Sequence, residues 1–371
     1  MAIYLLPFGL FATLALLYQS KMLRLGRVFY GLALLALSLF AGLRFEVGQD
    51  WPAYVQFFDE LNLKADFLDL YGSGTQQFEL GYYLLNYAVK AFGGTYSIVF
   101  LVSSLFLSYA LYTFTKRFLI NRFYVLTIYV GYTFLILNFA QVRQAIAVGF
   151  FLLGCNYYLC HQRRVISLAV ASIGILFQYS ALLYVAILFG VLCWPQKRQI
   201  LWASTVTSVV GLVLYLVSKF SDFYAVLGLL SSASAAEKVA IYKEIQEDQG
   251  GGQLWYAAYL LLLVWYLIRY KKVVKLEQIF IVNFAIASLL TTIVFIYIFP
   301  GSYVLYSRAY VVACIFQACA MALIFSRKNG TKHAFCFFIT IAVAAIYNLR
   351  ILSINVDDFV PYKSVAFLNL L

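Results

Sequence analysis

The chain has 371 residues, 64% of them hydrophobic and 11% charged, with a mean hydropathy of +0.87 and a formal net charge of +12. Soluble domains carry about 25% charged residues, so soluble enzymes, nucleic-acid binders and secreted disulfide scaffolds are excluded together. Apolar runs of about 20 residues between short Lys/Arg clusters predict an all-α polytopic membrane protein, since a barrel would show weak period-2 alternation instead.

Six basic clusters set the orientation. They are Lys21/Arg24/Arg27, Lys116/Arg117/Arg122, Arg163/Arg164, Lys197/Arg198, Arg269/Lys271/Lys272/Lys275 and Arg327/Lys328/Lys332, and they hold 17 of the 27 Lys and Arg. Of the 15 acidic residues only Glu277 lies among them. If all six face the cytoplasm, the inner loops carry +16 and the rest of the chain −4, as the positive-inside rule requires. About twelve transmembrane helices follow: Ile3 to Tyr18, Val28 to Leu43, Tyr96 to Thr115, Phe123 to Leu137, Val142 to Cys160, Val165 to Phe177, Ser180 to Trp194, Ile200 to Val217, Leu254 to Ile268, Ile279 to Phe299, Ala309 to Phe325 and Ala334 to Asn348. Both termini then lie outside.

The six cysteines, Cys155, Cys160, Cys193, Cys314, Cys319 and Cys336, fall within or at the ends of spans without a CxxC pair, and the chain has two histidines. They read as small apolar packing residues; neither a disulfide framework nor a metal site is expected, and no cofactor motif is present.

Between Arg163/Arg164 and Lys197/Arg198 two crossings must fit into 32 residues. Each helix then reaches about 24 Å, short of a hydrocarbon core of about 30 Å. The tip Phe177-Gln178-Tyr179-Ser180 should therefore sit at or below the outer surface, in protein or in a water-filled recess. The preceding pair has a similar polar tip from Asn138 to Gln144, and together the two mark an outward-opening cavity.

Two outer segments are long. The first, Arg44 to Thr95, holds an amphipathic helix from Glu79 to Ala91, with Glu79, Tyr82, Tyr83, Asn86 and Lys90 on one face and Leu80, Leu84, Ala88 and Ala91 on another. Such a helix either lies on lipid or roofs a polar cavity. The second, residues 218–253, holds a helical stretch from Ala235 to Asp248 followed by Gly250-Gly251-Gly252, which is the form of a lid over a site or of a solvated loop.

Outer lysines lie mainly in loops, whereas Arg44, Arg143, Arg308 and Arg350 each stand where a span meets the outer interface. Each could snorkel to headgroups. As a group they suggest a bidentate site for phosphate or diphosphate. Asp50 and Glu79 are the carboxylates placed to take a proton, with Trp51 and Tyr54 beside Asp50 as a sugar-stacking surface. Alternatively Asp50 holds Arg44 by an ion pair and Glu79 caps its helix.

These residues carry a resemblance. Gly42-Leu43-Arg44, Val47-Gly48-Gln49-Asp50 with Tyr54, Glu79-Leu80-Gly81-Tyr82 with Asn86, Val142-Arg143-Gln144-Ala145-Ile146-Ala147, Ser180-Ala181-Leu182, Ser307-Arg308 and Pro361-Tyr362, in this order, make the chain similar to the EpsG-like branch of the Wzy-type bacterial polysaccharide polymerases. Many relatives carry a His two positions before the Ser-Ala-Leu; Gln178 stands there here, so that position offers no imidazole base. The resemblance implies a metal-independent, GT-C-like glycosyltransferase of the bacterial inner membrane, joining undecaprenyl-diphosphate-linked oligosaccharides at the periplasmic face. Taken with the reading of the residues, this makes Asp50, Glu79, Arg143 and Arg308 the expected catalytic set, with Arg44, Trp51, Tyr54, Tyr82, Asn86, Gln144, Gln178 and Arg350 expected to bind substrate. Its partners would be the lipid bilayer and a chain-length regulator and flippase of the same pathway, with no nucleic acid. A lipid-linked glycan flippase or an O-antigen ligase-type transferase is the alternative.

Overall fold

The computed structural model describes residues 1–20, 26–63, 78–118, 120–194, 200, 205, 253–275, 278–298, 303–327 and 331–365. Helices coincide with eleven of the twelve expected spans; Ile200 to Val217 and the glycine-hinged segment 218–253 lie largely or wholly outside the described residues. In chain order the helices are α1 (Ala2–Gln19), α2 (Arg27–Gly42), α3 (Trp51–Glu60), α4 (Leu80–Ala91), α5 (Tyr96–Thr115), α6 (Arg122–Tyr129), α7 (Val142–His161), α8 (Arg164–Ile173), α9 (Ala181–Cys193), α10 (Gln253–Tyr270), α11 (Ile279–Ile298), α12 (Tyr303–Phe325), α13 (Thr331–Ile354) and α14 (Val356–Phe359). Among the described residues the only β pairing is an isolated bridge between Arg44 and Ser364. Among the described residues four helices are long and apolar enough to cross a membrane by length and composition: α1, α5, α11 and α13.

One layer of the bundle runs α2, α5, α7, α8 by successive packing, while α6 joins α1 to α12 and α12 lies along α11. The core is α11 and α12, which are apolar all round and buried along most of the length described. The Ser and Thr hydroxyls of α11 close onto their own helix: Ser288 Oγ donates to Phe284 O at 2.7 Å and Thr292 Oγ1 to Ser288 O at 2.9 Å. Where no water is at hand, that back-bonding satisfies a polar group without a partner helix.

The stretch read as a span from Phe123 to Leu137 followed by a polar tip is built differently. Asn121 caps α6, accepting the Tyr124 N–H at 3.1 Å while its amide donates to Ala15 O of α1 at 2.7 Å. After Tyr129 the chain winds into two π-helical turns, Val130–Phe134 and Ile136–Ala140, and reaches α7 through Gln141 alone. The tip is therefore helical. Asn138 can sit at its depth because its amide donates to Tyr129 Oη at 2.7 Å and to Phe134 O at 3.2 Å.

Two other boundaries move. α12 begins at Tyr303, which puts Arg308 in its second turn, and α13 runs on to Ile354, which puts Arg350 on an exposed helical face instead of at a span end. The short pair is shorter than expected. α8 with its 3₁₀ extension Gly174–Leu176 has 13 residues, as has α9, so each reaches about 20 Å.

Candidate functional site

The site is assembled where α4 meets the tip between α8 and α9. Gly81, in the first turn of α4, makes the approach possible: a Cβ there would stand 2.9 Å from Leu176 O and 3.0 Å from the Phe177 ring. The polar and aromatic face of α4, with Tyr82, Tyr83 and Asn86, turns inward, while Leu84 and Ala88 face outward.

Glu79 stands at the N-cap of α4 but makes no capping bond with its side chain. Its Oε2 pairs with Arg143 Nη1 and its Oε1 accepts the Tyr179 N–H at 3.4 Å. Both partners are largely enclosed, with 6% of the Glu79 and 18% of the Arg143 side chain exposed. The Arg143 guanidinium also lies over the Phe78 ring at 4.5 Å and beside the Tyr54 hydroxyl. A buried arginine shared among a carboxylate, an aromatic face and a hydroxyl is held in one orientation. Burial raises the Tyr54 and Tyr82 hydroxyls above the ordinary phenol range and keeps both neutral.

One residue further along, Gln144 connects three helices. Its amide donates to Arg308 O of α12 at 3.3 Å and lies against Tyr184 Oη of α9, which donates to the same carbonyl at 2.6 Å. Sequence reasoning missed Tyr184, because a lone tyrosine in an apolar span reads as core. The knot fixes the α12 backbone at Arg308 against the first turn of α7, which carries Arg143. The Nε atoms of Arg143 and Arg308 are both buried without a hydrogen-bond acceptor, so each guanidinium keeps a donor for an incoming anion.

Arg44, Asp50 and Trp51 lie in or beside the 43–50 loop. Arg44 is 0% exposed and its guanidinium is consumed by main-chain carbonyls: Ala41 O at 2.7 Å, Val47 O at 3.0 Å and Phe139 O at 3.3 Å, with the Phe100 ring 4.2 Å away. It neither pairs with Asp50 nor offers a face to substrate, which corrects both sequence readings. The physical reason is the α2 C-terminus, whose free carbonyls need donors. Burial pushes the Arg44 guanidinium down to about 10, still protonated at neutral pH. Gly48, at φ +110, lets Phe139 O approach where a Cβ would meet it at 2.4 Å.

Asp50 is partly exposed at the N-cap of α3 without capping it, near the Tyr54 hydroxyl. The aromatic platform expected beside it is already packed. Trp51 meets Phe45 and Tyr96 edge-on at 5.7 Å each, and the Tyr54 ring is enclosed by Phe78 at 5.5 Å and Tyr82 at 5.4 Å. Asn86 donates to Tyr82 O at 2.7 Å within its own helix. Gln178 is buried at the α8–α9 tip, and Arg350 is exposed on α13. Among the described residues no group of three or more His, Cys, Asp and Glu gathers.

A helical bundle with apolar spans, carrying an enclosed arginine–carboxylate pair at the N-terminus of an amphipathic helix, defines a membrane-embedded protein with an enclosed polar cluster. The chain belongs to the EpsG family, whose model matches residues 27–364, nearly the whole chain. This is a Wzy-like polysaccharide polymerase family. No curated protein and no solved structure is significantly similar to the chain.

Proposed function

We propose that the protein polymerises undecaprenyl-diphosphate-linked oligosaccharide repeat units at the periplasmic face of the bacterial inner membrane, as a twelve-span, metal-independent glycosyltransferase of the GT-C type. The observation that carries this reading is the pair Arg143 and Arg308, tied together through Gln144 and Tyr184 and each with a buried, unfilled Nε donor. In the reaction the bond between the anomeric carbon of the donor chain and its lipid diphosphate breaks, and a bond from that carbon to an acceptor sugar hydroxyl forms. Charge develops on the leaving diphosphate, where preorganised cationic donors lower the barrier most. The hydroxyl proton goes to Asp50, because both oxygens of the enclosed Glu79 carboxylate are already taken up, by the Arg143 guanidinium and the Tyr179 N–H. Glu79 acts as the positioning residue of Arg143.

The test is purified protein with lipid-linked repeat units, with product length read on gels. Wild-type protein should lengthen the glycan, and Asp50→Asn should lose about 10²- to 10⁴-fold in turnover. In cells, deletion should leave single-repeat product at the surface. No surface repeat at all would point to transport and sink the polymerase reading.

A further inference from the structure

The C-terminal segment closes onto the loop that presents Asp50. Gly48 N–H donates to Asp358 O at 2.8 Å, Phe45 N–H to Lys363 O at 2.9 Å and Val365 N–H to Leu43 O at 2.9 Å. Ser364 Oγ adds a bond to Leu43 O at 2.9 Å, and Lys363 pairs with Glu46. The loop is thus bonded at positions 43, 45 and 48 to residues more than 300 positions away in sequence, and the next chain direction after Gly48 is Gln49-Asp50 and the start of α3.

One side chain latches this segment to the bundle. Tyr362 stacks on Phe40 with ring centroids 4.5 Å apart and donates its hydroxyl to Phe40 O at 2.6 Å. Phe40 O belongs to the last turn of α2, where carbonyls lose their helical donors. Arg44 takes Ala41 O, the Tyr362 hydroxyl takes Phe40 O, and residues 364 and 365 take Leu43 O. The end of α2 is therefore capped by the far end of the chain. Tyr4 of α1 holds the segment from the other side, donating to Phe359 O at 2.6 Å with its ring edge on Tyr362 at 6.0 Å.

We infer that Tyr362 is a positioning residue for glycosyl transfer, acting through the latched 358–365 segment to fix the 43–50 loop and with it the Asp50 carboxylate. The inference rests on the reading of Asp50 as proton acceptor. A carboxylate that must meet a sugar hydroxyl at hydrogen-bond distance is sensitive to a shift of an ångström, which costs on the order of 10²-fold in rate. Tyr362 touches neither arginine of the proposed anion site, so substrate affinity should not follow it.

The experiment is a double-mutant cycle on the purified full chain, with lipid-linked repeat units as substrate. Tyr362→Phe keeps the ring on Phe40 and removes the hydroxyl; it should elute as a monodisperse protein and lose about tenfold or more in kcat with KM unchanged. In an Asp50→Asn background the same change should alter the residual rate by less than about twofold, because the residue through which it acts is gone. Wild-type kcat for Tyr362→Phe, a rise confined to KM, or multiplying losses in the double variant would each overturn the inference. Wild-type turnover by Asp50→Asn alone would remove both the base and anything for Tyr362 to position, and that failure is distinguished by the single variant.

Discussion

Arg44 stands just past the end of α2 and Arg143 in the first turn of α7, and the two have opposite fates. Arg44 is wrapped in carbonyls, whereas Arg143 is oriented by Glu79 and retains a free Nε. Arg143→Lys keeps the charge but loses the planar fork. It should reduce polymerisation by at least about tenfold at normal protein level, since a lost charge-assisted contact is worth about 1.5–3 kcal/mol; normal polymer from this variant would refute bidentate recognition. Arg44→Met should instead lower stability by about 2–5 kcal/mol, because three buried carbonyls lose a charged donor. Fluorescence-detected melting in detergent would show it as an early transition, and an unchanged transition would refute the cage. The difference was not legible in sequence. Both arginines read as cations at a span end, and the cage around Arg44 needs Phe139, 95 positions away. Asp50 and Glu79 were legible as candidate carboxylates, but their separate surroundings were not, because Arg143 and Tyr179 meet Glu79 only through tertiary packing.

At the scale of the element, α4 illustrates what periodicity can and cannot give. The segregation of Tyr82, Tyr83 and Asn86 from Leu84 and Ala88 was visible at 100° per residue. Which face turns inward depends on Gly81, whose missing side chain admits the 176–177 backbone. Gly81→Val should therefore push α4 away from the α8–α9 tip, separate Glu79 from Arg143 and abolish polymerisation while the bundle still assembles. Activity measured beside gel-filtration profile checks this, and wild-type activity would show the close approach to be dispensable. The π-helical turns after α6 had no counterpart in the sequence reading, because one inserted residue per turn shifts the apolar pattern by less than a short window resolves.

The whole molecule was the most legible scale, since apolar length and basic clusters are counted directly from the chain. Reporters fused after Gly93 and after His161 should read as periplasmic and cytoplasmic respectively; cytoplasmic activity at Gly93 would place Glu79, Arg143 and Asp50 in the wrong compartment. The α8–α9 hairpin has a further consequence for the surrounding lipid. Two adjacent helices of about 20 Å cannot match a hydrocarbon slab of about 30 Å. If the pair crosses the membrane as proposed, the leaflets dimple toward the tip or water enters there, and either deformation costs a fraction of a kcal/mol per ångström of mismatch. The protein should thus be tuned to acyl-chain length, with turnover in reconstituted vesicles falling as the lipids are lengthened. On the proposed function, the diphosphate of a polyprenyl-linked substrate reaching this tip would sit at the floor of a local dent, closer to the mid-plane than the headgroups around it.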